Sequence, residues 1–359
     1  MTWLGEQLGR IADDMPERDL SARTFDIHQR RRRNSMALAA AAVVVVTVLA
    51  VAVGVRVLPA EPRAAVRPSS PPEQSTIKVG VVPTVESVPV FVAMTQGYFK
   101  EEGLSVEPVI ISGAAAAAPQ IESGVLDLAQ TDYATVFKVN EMGEKFKIVS
   151  SLYQAAQGSV AVVVSAKSKI RTATDLRRKR VAIPNIAGLG SLALTAVLKR
   201  VGLTLRDVVL IEKPYPDMLD AMGRGQVDAV LLAEPFVTVG RETKHTRIVA
   251  DAMTQEFANL YTAGMTATDK WIRGNPRTLA AFQRALAKAQ RLIASDPQQV
   301  RDALPRYTRI STAMAAGVAF GSYPAKLDLT ELQRVADLAR AHKMLERPAD
   351  LRSAVVKGG

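Results

Sequence analysis

The chain predicts an α/β domain with mainly parallel sheets over residues 76–359, and three observations carry that prediction. Short β-branched runs recur along it, helical stretches lie between most of them, and after Thr268 the pattern switches to helical periodicity alone. A composition that is 48% hydrophobic supplies a sizeable core.

The element order follows from the pattern. Ile77-Lys78-Val79-Gly80-Val81-Val82 is a buried-strand run, and the spacing predicts a helix from Val90 to Gln96 with Gly97 as its stop. Leu104–Ile111 is strand-like. Further strand runs fall at Val125–Gln130, Phe146–Leu152, Ser159–Ser165, Arg180–Pro184, Val208–Glu212, Ala229–Ala233 and Arg247–Ala250. Ser191–Val201, Asp217–Met222 and Pro276–Ala294 read as helices. Asn275-Pro276 opens the last of these, and Thr330 is the expected cap of a final helix that turns Leu332, Val335 and Leu338 inward.

Upstream, Arg30–Arg33 precede an uncharged run of 21 residues, Ser35–Val55. That length spans a bilayer as a helix, and the arginines place the N-terminus in the cytoplasm and everything after Arg56 outside. The expected layout is a cytoplasmic tail 1–34, a single transmembrane anchor 35–58, a proline-rich spacer 59–75 and a binding domain 76–359. The chain is thus read as a single-pass cell-membrane protein with an extracytoplasmic domain.

Composition removes several function classes. There is no cysteine, hence no disulfide, thiolate metal site or cysteine nucleophile. Three histidines, His28, His245 and His342, lie far apart, which leaves little for a metal site or a hydrolase triad. No metal and no cofactor is expected. The net charge of +11 is scattered, and with 5% aromatic residues it describes a solvated basic surface, not a nucleic-acid interface.

Four segments in order resemble one known family. They are Val92-Ala93-Met94-Thr95-Gln96-Gly97-Tyr98-Phe99-Lys100-Glu101-Glu102-Gly103-Leu104, Ile121-Glu122-Ser123-Gly124-Val125-Leu126-Asp127, Asp175-Leu176-Arg177-Arg178-Lys179-Arg180-Val181-Ala182, and Gly225-Gln226-Val227-Asp228-Ala229 followed by Glu234-Pro235-Phe236. The chain resembles the ABC-importer substrate-binding proteins for sulfonates, taurine, nitrate and thiamine precursors, with Arg178 where that family usually has glycine.

The resemblance implies the two-lobed type II periplasmic-binding-protein fold, with two crossover strands and a ligand cleft between the lobes. Lobe one would be 76–160 plus 262–359 and lobe two 161–258. It implies no enzyme activity, a small polar or anionic ligand and an ABC importer permease as partner. Family relatives that make the thiamine pyrimidine use a histidine and a cysteine-rich motif, and cysteine is missing here. The alternative is a membrane-anchored sensor that reports ligand occupancy to the 34-residue tail.

Candidate ligand contacts sit after strands, where open α/β sheets bind their ligands. They are Thr84 and Ser87, Ser112 and Gly113, Asp132 and Tyr133, then Gly188, Gly190 and Ser191, and finally Glu234. The Ser112–Gly113 and Gly188–Ser191 turns offer backbone N–H groups at helix starts, chemistry that suits an anion. Asp132 and Glu234 point the other way, toward an amine or ring N–H. Gly97 and Gly103 read as backbone positions, Tyr98 and Phe99 as core, and Asp127 and Asp228 as braces.

Overall fold

The computed structural model describes residues 70–356. The expected tail 1–34, the membrane anchor 35–58 and the spacer up to residue 69 lie outside the described residues. Among the described residues no helix is long and apolar enough to cross a membrane.

Strand β1 (Thr76–Val81) buries alternate residues and then a continuous run, as expected of a central strand covered on both faces. Helices α1 (Val88–Thr95) and α2 (Tyr98–Glu101) follow, separated by Gly97 at φ 77°. That left-handed backbone is what only glycine adopts without strain, and Gly103 repeats it at φ 76° before β2 (Ser105–Ile110). Then come α3 (Ala114–Glu122), β3 (Leu128–Asp132), α4 (Tyr133–Glu141) and β4 (Phe146–Gln154).

The next block is β5 (Val160–Ser165), β6 (Arg180–Ile183), α5 (Leu189–Lys199), β7 (Val209–Glu212), α6 (Tyr215–Gly223), β8 (Ala229–Ala233), α7 (Phe236–Lys244) and β9 (Thr246–Asp251). The chain then returns through β10 (Tyr261–Thr268). It ends in α8 (Asp269–Gly274), α9 (Pro276–Ser295), α10 (Gln298–Ala303), α11 (Thr312–Ala315), α12 (Leu329–Ala341) and α13 (Leu351–Ala354).

Two five-stranded sheets result, ordered β2-β1-β3-β10-β4 and β7-β6-β8-β5-β9. The orders match strand for strand. In each sheet the first three strands are parallel, while the fourth (β10 or β5) runs antiparallel to both its neighbours. β5 lies in the second sheet and β10 in the first, so the chain crosses between Gln154 and Val160 and again between Asp251 and Tyr261.

The brace residues explain how each sheet is locked. Asp127, just before β3, accepts the Lys78 amide at 2.8 Å, the Trp271 indole N–H at 2.9 Å and the Gln74 side chain. Asp228 does the same before β8, accepting the Arg180 amide at 2.8 Å and pairing with its guanidinium at 2.8 Å. Phe99 is core, stacked on Phe282 with ring centroids 5.3 Å apart, while Tyr98 is half-buried beneath Lys288.

Two local expectations change. The final helix is capped by Asp328, whose carboxylate accepts the Thr330 and Glu331 amides, so Thr330 lies inside the first turn. Asp outcompetes the later Thr because its side chain reaches two free N–H groups at once. At α9, Asn275 makes no side-chain cap bond. Glu73 supplies it instead, accepting the amides of Arg277 (3.1 Å) and Thr278 (2.8 Å). Residues 71–75 are therefore fastened to the first lobe, and the Glu73 carboxyl is brought down to about 2: partial burial raises it, and the two amides and the Thr278 hydroxyl outweigh that.

Candidate functional site

In each sheet the strand order reverses at the first strand: β1 lies between β2 and β3, and β6 between β7 and β8. Ligand crevices form beyond the strand carboxyl ends at such points. Here the two crevices face each other, because Val85 after β1 and Asp132 at the end of β3 bond directly to residues following β8 and β6.

Asp132 is the centre of that contact. It caps α4, with one oxygen accepting the Thr135 amide at 2.8 Å and the other the Thr135 hydroxyl at 2.7 Å. From the second lobe the Leu189 amide donates to Oδ1 at 3.0 Å and the Asn185 amide group to Oδ2 at 3.2 Å. Asn185 also reaches the Thr135 hydroxyl at 3.1 Å, and its own oxygen accepts the Gly190 amide. The starts of α4 and α5, one from each lobe, thus converge on one carboxylate. Burial pushes that carboxyl up from the usual range, against the pull of its four donors.

Glu234 makes the second crossing. Its oxygens accept the Thr238 amide at 3.0 Å and hydroxyl at 2.8 Å, and the Ala319 amide from the first lobe at 3.2 Å. Its carbonyl accepts the Val85 amide at 3.0 Å. It is 2% exposed, and burial raises its pKa.

Glu86 stands between these. Thr262 donates to Oε1 at 2.8 Å and Gln130 to Oε2 at 3.0 Å. Gln130 cannot turn round, because its own oxygen is held by the Val82 amide and the Ser87 hydroxyl. Burial first, and then the neighbouring Asp132 charge, push the Glu86 carboxyl up to about 7 against its hydrogen bonds. Tyr307 and Tyr323 frame this loop, their hydroxyls donating to the Thr84 carbonyl at 2.8 Å and the Val85 carbonyl at 3.0 Å.

Of the residues expected from the sequence, Thr84, Ser87, Asp132, Gly188, Gly190, Ser191 and Glu234 come together at this junction. Thr84 and Ser87 are buried, and the one Ser87 hydroxyl proton lies between the Gln130 oxygen and the Val82 carbonyl, 2.6 Å from the hydroxyl oxygen. Gly188 lies against Thr135, with no room for a side chain. Ser191 is buried with no hydrogen-bond partner for its hydroxyl among the described residues. Tyr133 has no exposed surface, and its hydroxyl points to Ser151 at 3.3 Å inside the first lobe. Ser112 is exposed and makes no hydrogen bond among the described residues; the space beside Gly113 is open.

Sequence reasoning passed over Gln130, Asn185 and Thr262. One signal was available: Gln130 and Asp132 are polar residues two apart at the end of an apolar strand, hence on one face.

With this geometry in place the chain can be set beside known proteins. Residues 84–300 match the model of the family described as NMT1/THI5 like. The chain belongs to the NMT1/THI5-like family. Its curated relatives include the riboflavin-binding protein RibY of Chloroflexus aurantiacus, 26% identical over 68% of this chain and 69% of that protein. Another is the nitrate import ATP-binding protein NrtC of Synechococcus elongatus, 26% identical over 63% of this chain, which spans 36% of that longer protein.

Among solved structures, the alkanesulfonate-binding protein SsuA of Xanthomonas axonopodis pv. citri, bound to MOPS, superposes with a TM-score of 0.67 at 20% identity. The match covers 79% of this chain and 99% of that one. The nitrate-binding protein NrtA of Synechocystis PCC 6803 gives 0.66 at 14% identity, over 79% and 85%. The desulfurization enzyme DSZB shares the fold too, with a TM-score of 0.60 at 17% identity, over 79% and 97%. This family member therefore has the two-sheet α/β architecture of periplasmic binding proteins, a fold on which both binding proteins and an enzyme are built.

Proposed function

We propose that the chain is the extracytoplasmic solute receptor of an ABC-type importer, closing its two lobes on one small polar molecule and presenting the closed form to a permease. The observation that carries this reading is the set of hydrogen bonds that joins the strand ends of the two lobes through Asp132 and Glu234. Two α/β lobes linked by two chain crossings can hinge apart at residues 155–159 and 252–260, and a ligand that touches both sides shifts the balance toward closure. Family membership supports it as well, since RibY and the proteins sharing the fold include several named for binding small solutes.

The uncharged run Ser35–Val55 holds the domain at the membrane in this proposal, with the spacer carrying it outward. The test is a thermal-shift screen of the full-length chain in detergent against riboflavin, alkanesulfonates, nitrate, amines and aminoheterocycles. A ligand with micromolar affinity at millimolar concentration adds about 4 kcal/mol. A flat response across all classes refutes the receptor reading.

A further inference from the structure

Where an anion would be held between the two lobes, the chain has already placed its own. The amide N–H groups that open α4 and α5 are the donors an anionic ligand would use. Thr135 and Leu189 give theirs to Asp132, and the Thr135 hydroxyl and the Asn185 amide complete four donors on two oxygens. Neither oxygen is left wanting a partner, and the partial positive charge of both helix starts is answered from within.

Beside it stands a second carboxylate with capacity to spare. Gln130 and Asp132 share one face of β3, and Ala263 of β10 pairs with Asp132, which brings the Gln130 and Thr262 side chains to one end of the sheet. Both donate to Glu86, one to each oxygen. Those are neutral donors. No lysine or arginine among the described residues pairs with or donates to Glu86 or Asp132, although the chain carries 46 basic residues and a net charge of +11. Two half-buried carboxylates side by side with no basic partner repel one another, and something positive between them would relieve that cost.

From the second lobe, half-buried Tyr215 packs against both apolar clusters and stacks on Phe236 with ring centroids 5.7 Å apart. A tyrosine face attracts cations.

We infer that the cleft selects a ligand carrying a protonated nitrogen, an amine, amidine or aminoheterocycle, which Glu86 receives from the first lobe and Tyr215 covers from the second. This rests on the receptor reading and sharpens it: the family's fold is shared with proteins named for anions, and in this chain Asp132 takes up the helix-start N–H groups that an anion would use. A cation would give Glu86 the charged donor it lacks, and a sulfonate or nitrate would meet two carboxylates and no basic group.

The experiment titrates the full-length chain in detergent with benzamidine, 4-aminopyridine and putrescine, with methanesulfonate and nitrate, and with neutral riboflavin, and repeats each titration on Glu86→Gln. The inference expects a cationic probe to bind and Glu86→Gln to weaken it by at least about tenfold, since a charge-assisted hydrogen bond is lost. Should Glu86→Gln fail to fold, Tyr215→Leu is the second variant and is expected to weaken the same probe. Binding of methanesulfonate, nitrate or riboflavin that Glu86→Gln leaves unchanged or improves overturns the inference while the receptor reading stands. Binding of a cation with equal affinity in both variants also overturns it. No binding by any probe class overturns the receptor reading and this inference with it.

Discussion

Gly188→Ala is a wedge between the lobes. The backbone there is extended, φ −159° and ψ −155°, so alanine strains nothing by itself. Its Cβ, however, would stand 2.0 Å from the Thr135 hydroxyl oxygen of the other lobe, where ordinary contact begins at 3.4 Å. Thr135 cannot swing aside freely, because its hydroxyl donates to Asp132 and accepts from Asn185. The lobes must part locally by about 1.4 Å. Hydrogen bonds now at 3.0–3.2 Å, Leu189 to Asp132 and Asn185 to Asp132 and Thr135, are then out of range. At a net worth of about 1 kcal/mol each, the closed form loses about 3 kcal/mol, a population factor on the order of 100.

The absence of cysteine makes the measurement clean, since Ser123→Cys and Glu242→Cys, on exposed positions of opposite lobes, give the only two labelling sites. Spin-label distances should lengthen in Gly188→Ala. Adding Thr135→Ala, which removes the nearer colliding atom and leaves the Asn185 amide nitrogen at 2.6 Å, should shorten them in part. An unchanged distance distribution in Gly188→Ala would refute the argument that the closed form depends on this contact.

Three further outcomes follow from the same structure. Gly264→Ala places a Cβ 2.6 Å from the Ser150 carbonyl and from the Tyr133 ring, in the strand that carries the chain back to the first lobe; a loss of about 1–3 kcal/mol is expected in urea denaturation, and an unaltered midpoint would contradict it. Starting the chain at residue 76 in place of 70 removes Glu73 and Gln74 from α9 and from Asp127, so the melting temperature of the domain should fall, and equal melting of the two forms would show that these bonds contribute nothing. The Glu86 carboxyl is raised to about 7 in the folded chain. The folded state therefore binds the proton that the unfolded state has released, and stability conferred at low pH is lost as pH rises from about 4.5 through 7. Glu86→Gln should flatten that decline in a pH series of melting temperatures; an equal slope in both proteins would assign the decline to other groups.

What could be read from the sequence was local or periodic. Strand and helix alternation, the αL turns at Gly97 and Gly103, and the paired braces at Asp127 and Asp228 all involve residue types whose backbone or capping preference is intrinsic. The family motifs ordered these pieces into two lobes. The cap of α12 was misplaced by two residues because Asp328 and Thr330 are both good caps, and only the chain path chooses between them.

The character of the cleft was decided elsewhere. Glu86 is one polar residue in a loop until Thr262, 176 positions away, and Gln130, 44 away, fix its carboxylate. Read from the sequence, the Gly188–Ser191 turn offers N–H groups that suit an anion. Only the closing of one lobe on the other shows that Asp132, 57 residues before Leu189, is the anion it receives. Propensity and pattern act over a few residues, so the sequence by itself determined the α/β fold class. The charge a ligand meets is a sum over side chains brought together from distant positions, and that sum exists only once the chain has folded.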